Sequence, residues 1–484
     1  MSERNLFWLL GIAAVSLLGF AVTFNAAPRD KAVVPDGDDY EDISLVVDVL
    51  HQVRKNYVTE LSKDRKRKLV EDMINGGLER LDPHSQYINP REWRQFNDHS
   101  KGKFGGIGIQ VGYDRQNRGL LTVIAPMPGT PAYEAGLLPD DMILKIDGKT
   151  TENMRLSEAV DLIKGDPGQP ITLTVLHEGS KEPTDVTITR AIIEVKTVLG
   201  DLRKKDNPKE WDLMLDPETK LAYIRLTGFG EESTRELMGA LKDLKDAGMR
   251  GLILDLRNNP GGLLREAVAI SNLFLKEGDR IVSTKGRNRR DEIYDARSED
   301  DLLRAVFRDP RDADLRSAAR GVSLQPADKY PMVVLVNRYS ASASEIVSAA
   351  LQDHGRAVVI GERSFGKGSV QDMIEMEKNT SRLKLTTASY WRPSGKNIHR
   401  QPNAKESDEW GVKPNDGFEI KFKDEERLDY LIYRSDRDLP PSPKKEEKKE
   451  KEKEKVGPDG KKKEPFKDRV LEKAVEYMKK QLAK

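Results

Sequence analysis

Residues 332–371 read MVVLVNRYSASASEIVSAALQDHGRAVVIGERSFGKGSVQ, and the pattern within them sets the fold class. Met332–Val336 is an unbroken apolar run of strand length, Asn337–Ser344 is a run of small and turn-forming residues, Ser344–Leu351 has helical spacing, and Ala357–Ile360 is a second apolar strand. A buried strand that feeds a helix and returns to another buried strand is the repeat of an α/β core. The alternation recurs upstream. Leu221–Leu226 precedes a helix over Glu231–Ala247, and Gly251–Leu256 precedes Leu263–Leu275. Residues 191–435 therefore read as one α/β unit, with the charged stretch 284–328 as an inserted loop or helical excursion.

The same stretch offers chemistry. A serine hydroxyl attacks only when a base takes its proton, and a lysine can be that base if burial keeps it neutral. Ser342 stands in a small-residue turn opening a helix, where free backbone N–H groups leave the Ala343 amide to bind an oxyanion. Ser340 and Ser344 are the competing hydroxyls, suited to capping or packing. Lys367 lies among glycines just past the second strand, and the Gln371 amide can accept a hydrogen bond from it and fix its direction. A second amide donor is expected from the turn Asn258-Asn-Pro-Gly-Gly262 after the Asp255 strand, since glycines permit close backbone approach.

Two rival sites are weaker. Gly361–Lys367 has the spacing of a phosphate loop, with Asp255 as its metal-binding aspartate, but Gly368 stands where Ser or Thr must reach the metal. His354 beside Asp353 could complete a Ser-His-Asp set, yet adjacent residues rarely point as such a set requires.

The rest of the 484 residues supplies context. A net charge of +1 points to no nucleic acid or acidic substrate, and the absence of cysteine excludes disulfides and thiolate sites. None of the six histidines has metal-ligand spacing, so neither metal nor cofactor is expected. Leu6–Phe24 is uncharged, about long enough to cross a bilayer, preceded by Arg4 and followed by an acidic run, which favours an N-in, C-out anchor. A cleaved signal peptide is the rival, but Phe24-Asn25-Ala26 lacks small-x-small cleavage geometry. Residues 1–30 thus read as a membrane segment that places the body outside the cytoplasm. Residues 31–100 read as helical, broken at Asp82-Pro83-His84-Ser85, where His84 is a turn residue. Residues 101–190 carry glycine turns and short strands. Residues 436–466 form a Lys/Glu-rich linker, and 467–484 an amphipathic helix suited to docking or to pairing two copies.

SASASEI, Asp353, FGKGSVQ and DLRNNPGG together resemble the C-terminal processing (tail-specific) protease family, from about Tyr40 to Tyr433. The resemblance implies a serine endopeptidase in which Ser342 is nucleophile, Lys367 base and Gln371 its positioning partner, with Ala343 and Gly262 donating to the oxyanion. It places Asp353 at an acidic position of some members. It also implies that 101–190 is a PDZ domain, which captures the C-terminal tails of protein substrates by strand addition. Its carboxylate turn would be Gly105-Gly106-Ile107-Gly108, followed by the edge from Ile109. Arg190 matches a position that couples peptide binding to activation. An inactive PDZ scaffold is the non-enzyme alternative, and the intact Ser342, Lys367 and Gln371 set argues against it.

Overall fold

The computed structural model describes residues 22–23, 37–100, 102–114, 119–177, 179–309, 312–322, 330–438 and 466–484. Its central sheet runs in the order 198–199, 221–226, 251–255, 332–336, 358–361, and the last four strands are parallel. Every residue of Gly251–Asp255 and Met332–Val336 is buried, as expected where helices cover both faces of a parallel sheet. One face packs against helices Ser233–Asp246, Leu264–Asn272 and Ala343–Asp353 through Leu237, Leu241, Ala267, Ile346 and Val347. The other face is covered by Asp424–Asp438 and the C-terminal helix Arg469–Leu482, through Tyr430, Val470, Ala474 and Met478.

The C-terminal helix is thus docked on its own core, with its apolar face covered in cis. Asp468 accepts the Leu471 N–H at the helix start and pairs with buried Arg257 at 2.8 Å, while Arg257 also grips Asp255 at 2.6 Å. Asp255 is therefore held by an arginine, which disposes of the phosphate-loop rival's metal-binding aspartate. Charges this deeply buried are tolerated only when paired.

A second sheet joins strands 369–376, 381–391, 280–285 and 292–295; Gln86–Ile88 pairs with 381–391, and Val22–Thr23 runs parallel to Gln371–Asp372. The 284–328 stretch holds the helical excursion expected, in helices Glu299–Val306 and Ala313–Ala318, but it is also built into the fold. It contributes strand edges, and Leu302, Leu303, Phe307 and Val322 are buried in the core. Its charges had hidden a sparse apolar face.

Residues 109–189 form a separate five-stranded antiparallel path with helix Leu156–Ile163 and its own core of Leu121, Val123, Ile143, Ile146, Leu173 and Val175. Lys103–Gly106 pairs with Ala191–Glu194, so a two-stranded ribbon ties the entry of this unit to its exit. Of the helical N-terminal region, Gly37–Asn56 exposes Tyr40, Ile43, Leu45 and Val47. The apolar run read as a membrane helix lies outside the described residues except for Val22 and Thr23, which are extended. Among the described residues no helix is long and apolar enough to cross a membrane.

Candidate active site

The site lies at the carboxyl ends of the parallel strands. The strand Met332–Val336 leads into a tight turn, and Ser342 sits at its crest with φ 55° and ψ −114° just before helix Ala343–Asp353. Small neighbours make this turn affordable in space. Ala341 N–H donates to Asn259 O, and Gly261 lies so close that a Cβ there would stand 2.9 Å from the Ser342 Cβ. The three serines now separate. Ser340 Oγ donates to Leu256 O at 2.8 Å and Ser344 Oγ to Asn259 O at 2.9 Å, whereas Ser342 Oγ is buried without a partner among the described residues.

Glu345, one turn into the helix, joins the two halves of the site. Its Oε2 accepts the N–H groups of both Ser342 and Lys367, each at 2.8 Å. The two backbone nitrogens therefore lie within twice that distance of each other. Its Oε1 accepts Ser364 Oγ and Gly366 N–H, each at 2.6 Å. Burial pushes the Glu345 pKa up to about 7, against the pull of these four donors. Lys367 is buried too, and burial pushes its amine down to about 8, opposed by the Glu345 and Asp82 charges. A lysine so placed reaches its neutral form close to physiological pH.

Gln371 begins the neighbouring sheet and is fully buried. Its Nε2 donates to Ser369 Oγ at 2.9 Å and Thr386 Oγ1 at 3.1 Å, and its Oε1 has no partner among the described residues. The expected Lys367–Gln371 bond is thus not formed in this conformation. Ser342 and Gln371 are both 0% exposed, so Oγ is closed to solvent in this conformation.

The turn Asp82-Pro83-His84-Ser85 also reaches this place. Asp82 accepts Thr386 Oγ1, and His84 is pushed down to about 4 by burial, then by the charges of Lys367 and Lys384. Lys384, a second buried lysine, is itself lowered to about 7 by burial and by Lys367. The sequence reading passed over Glu345, Asp82, Lys384 and Thr386. Glu345 was detectable as the acidic third residue after a helix-opening serine; the others come from distant segments and carry no local signal.

Opposite Ser342, Gly261 and Gly262 adopt φ 101° and 154°. At Gly262 a Cβ would stand 2.3 Å from Phe229 O, so only glycine fits. Neither Gly262 N–H nor Ala343 N–H has an acceptor among the described residues.

The remaining expectations divide. Asp353 is held by Arg392 at 2.5 Å and accepts the Ser394 N–H, a structural tie at the end of its helix. His354 Nε2 meets Arg280 O at 2.7 Å, which removes it from any triad with Ser342. In residues 109–189, Ile109–Asp114 is an edge strand with helix Leu156–Ile163 beside it. Gly105 and Gly106 belong to the ribbon, so the turn narrows to Ile107, buried, and Gly108, at φ 80°. Arg190 donates to the carbonyls of Ile163, Leu162 and Pro170 at 2.8–3.0 Å, which fastens the end of that helix.

Residues 220–415 match peptidase family S41, and residues 122–176 match the PDZ domain. Over 405 residues the chain is 38% identical to the carboxy-terminal-processing protease of Bartonella bacilliformis, spanning 82% of this chain and 80% of that protein. The chain belongs to the carboxy-terminal-processing proteases. It is also 31% identical over 432 residues to carboxy-terminal processing protease CtpA of Bacillus subtilis, which covers 89% of this chain and 80% of that one. Among solved structures, a photosystem II D1 C-terminal processing protease aligns with 87% of this chain and 94% of its own at 22% identity and a TM-score of 0.39. This carboxy-terminal-processing protease is thus a serine protease with a PDZ domain, and the S41 match encloses Ser342, Lys367 and Gln371 but not Asp82.

Proposed function

We propose that this protease cuts peptide bonds with a Ser342–Lys367 dyad through an acyl-enzyme. The neutral Lys367 amine takes the Ser342 Oγ proton as Oγ bonds to the substrate carbonyl carbon, and the resulting oxyanion is received by the Ala343 and Gly262 N–H groups. Collapse breaks the C–N bond, and the leaving amine takes the proton from the Lys367 ammonium. Water then attacks the ester with Lys367 again as base, releasing the acid and restoring Oγ–H. The observation carrying this reading is that Ser342 alone of its three serines keeps an unpartnered hydroxyl, while Glu345 ties its backbone to that of buried Lys367.

The pH profile tests it. A protonated Lys367 cannot accept the proton, so kcat/KM rises with pH through a midpoint near 8. A profile flat from pH 6 to 9, or one with its midpoint near pH 6.5 as an ordinary histidine base would give, overturns the dyad.

Substrate selection is proposed to lie in the PDZ domain, where a protein's C-terminal tail adds to the Ile109–Asp114 edge and its carboxylate meets the Ile107–Gly108 turn. Amidating the C-terminus of a tail peptide is expected to weaken its capture by about ten-fold or more, through loss of a charge-assisted hydrogen bond. Equal affinity of acid and amide would remove this role. Arg190, which fastens the helix bordering the groove, is the residue through which occupancy could reach the rest of the chain.

We also place the protease outside the cytoplasm on a single-pass anchor, or exported after signal cleavage, on the strength of the uncharged run Leu6–Phe24. The full chain is expected to stay with membranes through an alkaline carbonate wash and to be released when residues 1–30 are deleted. A chain that washes off intact would count against the anchor.

A further inference from the structure

The hydrogen bonds behind Gln371 have a direction that begins at Asp82. The Asp82 carboxylate is gathered by its own turn: Oδ1 accepts His84 N–H at 2.7 Å and Ser85 N–H at 2.9 Å, and Oδ2 accepts Ser85 Oγ at 2.6 Å. Ser85 Oγ in turn accepts the Thr386 N–H at 3.0 Å, which fixes the turn against the strand Ser381–Trp391. Asp82 Oδ1 also accepts Thr386 Oγ1 at 3.1 Å. An ionised carboxylate only accepts, so the single Thr386 hydroxyl proton is committed to Asp82. The Thr386 oxygen can then only accept from Gln371. That forces Gln371 to turn its NH2 toward Thr386 and its Oε1 away from it, and Oε1 is the buried atom left without a partner.

Ser369 cannot supply this direction. Its hydroxyl meets Gln371 Nε2 but can donate as readily as accept, so alone it would tolerate a flipped amide. With Gln371 as the partner of Lys367, a flipped amide would present N–H groups in place of Oε1 and compete with the serine proton for the amine lone pair.

We propose that Asp82 and Thr386 are positioning residues of the protease: a relay from the N-terminal turn through Thr386 sets which end of the Gln371 amide faces the lysine. The inference rests on the Ser342–Lys367 reading above, with Gln371 as the partner of Lys367 that the family resemblance implies. It also implies that the catalytic machinery extends outside residues 220–415, because the first member of the relay comes from the turn at 82–85.

The test is steady-state cleavage of an unfolded protein by the full chain and by Thr386→Val, Thr386→Ser, Asp82→Ala, the Asp82→Ala/Thr386→Val double variant and Lys367→Ala. Thermal unfolding of each is followed alongside. Thr386→Val is expected to lower kcat about ten-fold or more with KM held within about two-fold, since a misdirected base costs the chemical step and not binding. Thr386→Ser, which restores the hydroxyl, recovers most of that loss. The double variant is no slower than the worse single variant, as residues acting in series require. The acid limb of kcat/KM moves to lower pH in Thr386→Val, because N–H groups facing Lys367 disfavour its ammonium form. The other charges facing that amine, Glu345, Asp82, His84 and Lys384, are unchanged in this variant.

A Thr386→Val enzyme with unchanged kcat and pH profile, or additive losses in the double variant, overturns the relay. Should Asp82→Ala fail to fold, the Thr386 pair decides alone. Activity in Lys367→Ala would instead overturn the dyad and the relay with it, whereas an inactive Lys367→Ala beside a normal Thr386→Val overturns only the relay.

Discussion

Lys367→Ala is expected to lower kcat by roughly 10²–10⁴-fold, the range a positioned general base contributes, while the variant stays folded and still binds tail peptides. The reason is specific to this site. Neither His354 nor His84 stands in for the lysine: His354 is engaged with Arg280 O, and His84 is held neutral at a pKa of about 4, too weak a base to draw a proton from a hydroxyl at neutral pH. Truncation also removes a buried amine whose burial already disfavours its charge, so the fold loses little with it. Peptide capture is expected to survive because the PDZ edge Ile109–Asp114 has its own core. Cleavage assays on an unfolded protein, with tail-peptide binding measured in parallel, check both halves. Full turnover in Lys367→Ala would show that another group is the base, and loss of binding together with turnover would show a general collapse.

The second large effect belongs to Glu345. Each carboxylate oxygen accepts two donors, Ser364 Oγ and Gly366 N–H at Oε1, Ser342 N–H and Lys367 N–H at Oε2. Glutamine has nearly the same shape, but its NH2 would point at two of those donors. Glu345→Gln therefore leaves two buried donors facing N–H groups, at a cost of about 1–3 kcal/mol each. The unfolding free energy is expected to fall by about 2–6 kcal/mol on that basis, with activity lost as the Ser342 and Lys367 turns drift apart. Denaturant melts and kcat read the two consequences separately. An unshifted melt with full activity would mean that Glu345 does not hold the site together.

Much of this architecture is legible in the sequence, for physical reasons. Strands such as Met332–Val336 are buried on both faces and so appear as unbroken apolar runs. The turn residues around Ser342 and Gly262 announce themselves because only small side chains fit where two turns nearly touch. What the sequence hides is whatever depends on distant segments meeting. Asp82 and Thr386 are 304 positions apart and look like an ordinary helix break and an ordinary strand threonine until the sheet brings them together. How firmly the stretch 284–328 is built into the core is hidden for a related reason. Leu302, Leu303 and Phe307 are few among many charges, yet they are the side chains that face the core. The C-terminal helix showed its apolar face but not its partner, because periodicity reveals that a face is covered and not by what.

The backbone at Ser342 carries a further consequence. A φ of 55° is a conformation that glycine adopts freely and that residues with a side chain hold at a cost of about 1–3 kcal/mol. The residue best suited to that bend by conformation alone is thus one without a hydroxyl. Stability and chemistry pull in opposite directions at a single position, and the turn keeps its serine only because its surroundings leave the chain no alternative path. Any relaxation of that confinement would let the loop settle, and the oxygen proposed as nucleophile would swing out of line as it did so.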